Sequence, residues 1–319
     1  MSLVTFGETP LRLHPGGQGR LRSARELTVR AHGTESTAAA AAAALGGSAT
    51  WVSRLPDTEL GRRVVAELRE HGVDPAVVWA RDGRQGLVFE ETGAPPRNST
   101  RLQDRSAAAM ATVEPGEVPM TEIRGAAAIF TSASTLALSE TVASTVEAVF
   151  GAAQGTDVLA ATDLDLQDGL CSAGDAADAL SRLGDSVDVL VANEAQARSV
   201  LGAAGDSREV VMSVASEYDF EFVVITRSER GALVLHDTPG ANMIHEHEAV
   251  ETETVDSTGA HAAFVGAFLQ RLVDGADAAD ALDHAIAAGA LARTVPGPFL
   301  TVDPDLIEAV AGEVVESTR

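Results

Sequence analysis

The chain has 319 residues, 45% of them hydrophobic but only 4% aromatic, enough to bury a sizeable core packed mainly by Ala, Val and Leu. Its formal net charge is −24, and all 23 basic residues are arginine; such a surface repels nucleic acid and anionic membranes, and the missing lysine excludes a Walker-type, Schiff-base or general-base lysine. The single cysteine, Cys171, excludes an internal disulfide framework, and with no apolar run of 18 residues and no basic leader a soluble, cytoplasmic protein is expected.

In chain order, Val4-Thr5-Phe6-Gly7-Glu8 reads as a first strand. Two turn-rich pieces, Leu11 to Arg30 and Val77 to Arg105, carry His14-Pro15-Gly16-Gly17 and Gly93-Ala94-Pro95-Pro96. Strands are expected within them at Glu26–Ala31 and Gly86–Glu91, forming a small sheet outside the main body. Between these pieces, Ser36–Leu45 is an alanine-rich helix, Ala49–Ser53 a strand and Leu60–Glu70 an amphipathic helix stopping at His71-Gly72.

From about residue 126, apolar strands at Ala126–Thr131, Val158–Ala161, Val187–Ala192, Phe222–Thr226 and Leu233–Leu235 mostly alternate with helices. The helices are Thr141–Phe150, Ala173–Leu183, Ala195–Leu201 and Val210–Glu217. The pattern indicates an α/β fold with a mainly parallel, helix-covered sheet, whose ligands sit beyond the carboxyl ends of the strands. Strand-like Ala249–Val255 and two helices, Gly259–Val273 and Ala278–Arg293, close the domain. His245-Glu246-His247 puts two imidazoles on one face of a strand, but with no third ligand in reach a surface strand outweighs a metal pair. Asp274, Asp277 and Asp280 read as a solvated acidic face, and Ser132-Ala133-Ser134 as a loop at a strand end.

The stretch Asp256-Ser257-Thr258-Gly259-Ala260 opens the first of those closing helices. Free amides at a helix start favour a bound anion; plain capping by Ser, Thr or Asp is the alternative. The stretch resembles the C-terminal signature of the ribokinase (pfkB-type) carbohydrate kinases, Asp-Thr-x-Gly-Ala-Gly-Asp-x-Phe, with Asp256, Gly259, Ala260 and Phe264 in register. That family's Gly-Gly-Ala-x-x-Asn-x-Ala aligns on His32-Gly33-Thr34-Glu35-Ser36-Thr37-Ala38-Ala39. Asp57-Thr58-Glu59-Leu60-Gly61, Asn193-Glu194-Ala195-Gln196 and Thr226 to Ala232 follow family patterns in order. Gly7-Glu8, Glu35 and Asp163-Leu164-Asp165-Leu166-Gln167 (like Asp-x-Asn-x-Arg) resemble the 2-keto-3-deoxygluconate kinase branch.

The resemblance implies a single ribokinase-like domain over residues 1–319, with a β lid from about residues 10–32 and 77–106 that also pairs two copies into a homodimer. It implies ATP and Mg2+ as cofactors, and a small sugar or sugar acid as substrate. Asn193, Thr226, Ser228, Gly231 and Gly259 would face nucleotide, with Gly259, Ala260 and His261 forming the anion hole. Glu8, Gly33, Thr34, Thr37, Arg101, Arg105 and Gln167 would face substrate.

Several positions depart from the family. Ala262 stands where the aspartate that takes the acceptor's proton belongs, and losing a general base costs ~10²–10⁴ in rate. His261 and His32 each replace a glycine. Gln196 replaces the glutamate that helps position magnesium, leaving a weaker attraction for a hard cation. Gln167 replaces an arginine suited to a carboxylate, Thr37 an asparagine and Ser228 a glycine. The lid's Tyr-Tyr-Arg element has no counterpart, since the only tyrosine is Tyr218. The expected function is therefore a sugar-kinase homologue with impaired phosphotransfer, a ligand-binding or regulatory pseudokinase. The alternative is an active kinase using His261 or Asp256 as its base. The acidic, lysine-free composition resembles that of proteins from salt-loving microbes, where the screening length falls to ~3 Å; a GC-rich genome would leave a similar codon bias.

Overall fold

The computed structural model describes residues 2–238 and 240–317. The chain begins with β1 (Ser2–Phe6), then β2 (Leu11–His14) and β3 (Thr28–Ala31), before α1 (Thr34–Ala44) and β4 (Ser48–Pro56). Next come α2 (Glu59–Glu70), β5 (Asp74–Ala80), β6 (Leu87–Glu91) and β7 (Thr100–Asp104). The repeating half holds α3 (Met120–Gly125), β8 (Ala128–Ser132), α4 (Ala133–Leu136), α5 (Glu140–Ala153), β9 (Leu159–Asp163), α6 (Ala173–Leu183) and β10 (Val189–Asn193). After α7 (Glu194–Leu201) and α8 (Ser207–Glu217) come β11 (Phe222–Thr226), β12 (Ala232–Thr238) and β13 (Ala241–His247). Three helices end the chain: α9 (Ala260–Val273), α10 (Ala278–Thr294) and α11 (Pro304–Ser317).

Nine strands form one sheet in the order β13-β12-β11-β10-β9-β8-β1-β4-β5. Its pairings are parallel from β5 across to β11, and only the β11–β12 and β12–β13 pairings are antiparallel, so β12 alone runs in reverse. Both faces are apolar because each face must be covered by helices. In β10, Leu190 and Ala192 pack into one core while Val189 and Val191 pack into the other. Val4 and Leu3 divide in the same way on β1. The α/β, ribokinase-like expectation is met, down to a smaller separate sheet of order β3-β2-β6-β7.

Two expectations need correction. Residues 77–80 belong to the main sheet, where β5 pairs in parallel with β4; Pro75 is tolerated because β5 is an edge strand. Ala249–Val255 forms no strand. The main sheet already ends at β13, and the segment instead runs along a pocket wall, with Val255 N donating to Arg293 O at 2.8 Å. The imidazoles of His245 and His247 do lie on a strand, β13, but His247 Nδ1 bonds Asp283, and no group of three metal-ligating side chains occurs among the described residues.

Candidate active site

The carboxyl ends of the parallel strands carry two neighbouring pockets. The larger is lined by Asn193 at the end of β10, Thr226 at the end of β11, Ser228 and Gly231, and by His261 and Phe264 of α9. Ala249, Val250, Ile286 and Gly289 add an apolar wall that sequence reasoning missed. Alternating or motif-bound polarity gave no hint of them. Gly231 has φ +82°, and a Cβ there would come within 2.0 Å of His247 O, so only glycine fits. Ser228 holds φ +55°, the left-handed region that disfavours a side chain.

Asn193 caps α7. Its side chain accepts from Gln196 N at 2.8 Å, and Asn193 N donates back to Gln196 Oε1 at 2.8 Å. Gln196 thus completes a capping box, a task glutamine and glutamate share, and its side chain is turned onto the backbone rather than outward.

Gly259 enters α9 at φ +82°, where a Cβ would lie 2.1 Å from Pro298 O. The amides that follow open the helix, and a helix N-terminus favours negative charge. Ala262, 5% exposed, presents only a methyl group in this first turn. Asp256 does not supply a free carboxylate in its place: one oxygen accepts from Thr258 N at 2.9 Å and the other from Gly297 N at 3.1 Å. Burial pushes its pKa up, but those donors and the Arg12 charge outweigh burial and hold it below the usual carboxylate value. A carboxylate so well served is a poor proton acceptor.

His261 points elsewhere. Its Nε2 lies 2.6 Å from Oδ2 of Asp163, a fully buried carboxylate at the end of β9. Burial lowers the imidazole pKa, yet the charge and hydrogen bond of Asp163 raise it further, leaving it above its ordinary value. The ring thus turns toward the end of β9 while its residue lines the larger pocket beside the opening of α9. Asp163 Oδ1 in turn accepts from Asp165 N at 3.0 Å. Asp165 (φ +30°) accepts from Thr34 Oγ1, Ser134 Oγ and Gln167 Nε2 at 2.8, 2.6 and 2.7 Å.

Those last residues belong to the smaller pocket, lined also by Glu8, His32, Gly33, Glu35, Arg101 and Arg105. Arg105, arriving from the end of β7, donates to Glu8 Oε2 at 3.2 Å and to Gln167 Oε1 at 3.1 Å. Arg101 faces Glu90 at 3.5 Å. Burial raises the pKa of Glu8 against the pull of Arg105. Glu35, seated over Gly7 where a Cβ would collide with it, accepts from Ser132 N, Ser132 Oγ and Thr135 Oγ1. Burial pushes it up to about 7 despite the Thr135 and Ser132 hydrogen bonds. Of the residues the family motifs single out for substrate, Thr37 alone lies outside this lining; it is fully buried in α1 with its hydroxyl unpartnered. Ser132 to Ser134, read as a plain loop, instead ends β8, starts α4 and braces both Glu35 and Asp165.

The chain is 45% identical to a 2-dehydro-3-deoxygalactonokinase of Haloferax volcanii, over 97% of this chain and 96% of that protein. It is 30% identical to a 2-dehydro-3-deoxygluconokinase of Thermoproteus tenax, with coverage of 93% and 90%. Among solved structures it resembles the 2-dehydro-3-deoxygluconokinase of Thermotoga maritima, with a TM-score of 0.88 and 28% identity over 98% and 99% of the two chains. The model of the pfkB family of carbohydrate kinases matches residues 2–303. With sheet order, helix opening and motifs in agreement, the chain belongs to the pfkB family of carbohydrate kinases.

Proposed function

We propose that this protein binds ATP in the larger pocket and a 2-keto-3-deoxy sugar acid in the smaller one, and that its phosphotransfer is impaired. One observation carries the reading. The first turn of α9 offers the methyl of Ala262 where a proton acceptor is required, and the only other acid of the motif, Asp256, is held ionised by Thr258 and Gly297. Phosphoryl transfer needs more positioning and charge stabilisation than covalent chemistry, so the loss slows the reaction by ~10²–10⁴ and leaves binding intact.

Asn193, Thr226, Ser228 and Gly231 would hold the nucleotide, and the amides after Gly259 its phosphates. MgATP, the cofactor of pfkB kinases, supplies the phosphoryl group. Gln196 is neutral and engaged in its capping box, so the ion would rely on phosphate oxygens for its hold. Arg105, whose side chain is 11% exposed and already bonds two pocket residues, would receive the substrate carboxylate that Gln167 cannot grip. The smaller sheet would act as the lid. Its edge strand β7 exposes Leu102, a contact through which two copies would pair. The residual role is ligand sensing, or regulation of a working kinase through that same sheet.

The bond between His261 Nε2 and Asp163 favours a second reading, in which neutral His261 takes the acceptor's proton at Nδ1 and Asp163 steadies the resulting imidazolium. Its raised pKa works against that role at neutral pH, so activity of this kind climbs as pH rises. ATP-dependent phosphorylation of 2-keto-3-deoxygalactonate and 2-keto-3-deoxygluconate at molar salt separates the two. Turnover of about 1 s⁻¹ or more, ordinary for an enzyme, climbing with pH and lost in His261→Ala, would replace impairment with the histidine base. Slow turnover indifferent to His261→Ala supports the first reading.

A further inference from the structure

The smaller pocket contains one side chain that phosphotransfer chemistry leaves unused. His32 links β3 to α1, with its amide donating to Pro10 O at 3.1 Å. The next residue, Gly33, packs so closely on Glu8 that a Cβ would lie 2.3 Å from Glu8 O, which fixes the imidazole relative to Glu8. The ring lines the pocket beside Glu8, Arg101 and Arg105. Its Nδ1 is buried without a hydrogen-bond partner, and so is Oε1 of Glu8, a residue only 4% exposed.

An unmet buried polar atom costs ~1–3 kcal/mol, so three of them in one pocket, Arg105 Nε being the third, call for an explanation. Burial first, then the charges of Arg101 and Arg12, push His32 down to about 4 against the opposing pull of Glu90. The ring is thus neutral wherever the protein works. A neutral imidazole has one donor and one acceptor nitrogen. That matches a hydroxyl, itself donor and acceptor, and not a carboxylate, which needs donors alone.

We propose that His32 is a specificity-determining residue whose imidazole Nδ1 hydrogen-bonds a hydroxyl on the carbon chain of the substrate. The inference rests on the smaller pocket being the sugar-acid pocket. Where glycine would leave that end of the pocket open, a ring nitrogen at a set position recognises both the presence and the configuration of one hydroxyl. Sites built to bond a hydroxyl reject ligands that misplace it, because the site's own polar atom is then left unpaired.

The test is calorimetric titration of the full chain at molar salt with 2-keto-3-deoxygalactonate and 2-keto-3-deoxygluconate, which differ in the configuration of one hydroxyl. His32→Ala is expected to weaken the tighter-binding acid by about 10- to 100-fold, the value of one buried neutral hydrogen bond together with its unmade partner. The ratio between the two acids should narrow, and MgATP affinity should stay unchanged, showing an intact fold. His32→Asn, which returns a polar atom near the Nδ1 position, should restore most of the affinity. Unchanged sugar-acid affinity in His32→Ala, beside a wild type that binds, overturns the inference. So does a loss that His32→Asn fails to recover, which would mark a packing role. A wild type that binds neither acid but does bind MgATP overturns the assignment of the pocket, and this inference with it.

Discussion

Restoring the family residues at two adjacent positions, His261→Gly with Ala262→Asp, tests whether the side chains at these positions limit phosphotransfer. Position 262 sits in the first turn of α9, 5% exposed, so a new aspartate gains ~0.3–1 kcal/mol from the helix dipole. Glycine at 261 costs ~1 kcal/mol in helix propensity, and Asp163, fully buried, loses the imidazole 2.6 Å away while keeping the Asp165 amide. Leaving that buried carboxylate without its partner costs ~3–5 kcal/mol, so retained binding of both ligands is the check that the double variant still folds. Its reward is the general-base factor of ~10²–10⁴, equivalent to roughly 3–5 kcal/mol of transition-state stabilisation. Ala262→Asp alone should gain less, since the His261 side chain remains beside the opening of α9. The assay is ADP release with 2-keto-3-deoxygalactonate at saturating MgATP and molar salt, comparing both singles with the double. A gain below about tenfold (1.4 kcal/mol) in a double variant that still binds both ligands would refute the reasoning. The limit would then lie with Gln196, Gln167 or Thr37 rather than with the absent base.

Gly259→Ala should destabilise the protein by at least ~2 kcal/mol in thermal unfolding, because φ +82° penalises a side chain and the new Cβ would meet Pro298 O at 2.1 Å; an unchanged melting temperature would contradict that geometry. Glu35 is held near 7 in the fold against 4.5 in its ordinary state, so the folded protein binds this proton more firmly than the unfolded chain. The associated stability is fully present below about pH 4.5 and is lost as pH rises through 7, roughly 3 kcal/mol in all. Glu35→Gln removes the titration, so the variant's stability relative to wild type should improve between pH 4.5 and 7 and level off above; a pH-independent difference would show that burial does not perturb this carboxyl.

Much of the fold is legible because both sheet faces are buried. Phe222–Thr226 and Ala173–Leu183 are read with the bounds the structure gives them, since an uninterrupted apolar run and a period of 3.6 each leave one solution. The smaller sheet and the main sheet's edge at β5 are harder. β7 reads Thr-Arg-Leu-Gln-Asp with three of its five residues exposed, and β5 begins Asp-Pro, a turn signal that an edge position overrides. Helix α11 escapes because its apolar stripe is thin, with Ile307, Ala311 and Val314 packing beneath. The segment 249–255 shows the reverse error. Val250, Thr252 and Thr254 alternating with Glu251 and Glu253 suggest a strand, but with β13 already closing the main sheet the chain runs beside the larger pocket instead.

The site divides along a different line. Spacing locates backbone-defined features, since Gly259 and Gly231 are needed where a Cβ would strike Pro298 O or His247 O. It does not reveal which side chain a substituted position will find. That His261 reaches across to Asp163, 98 positions away, is set by the register that brings the end of β9 opposite the start of α9. The same pairing explains how the site stays satisfied with alanine at position 262. Asp163 is fully buried, and a buried carboxylate left without a partner is strongly destabilising. With His261 as its partner, the helix opening, the capping box of Asn193 and Gln196, and the Asp165 junction all remain satisfied. The chain thus keeps the strand ends and helix opening of its family's fold, with the His261–Asp163 hydrogen bond beside position 262.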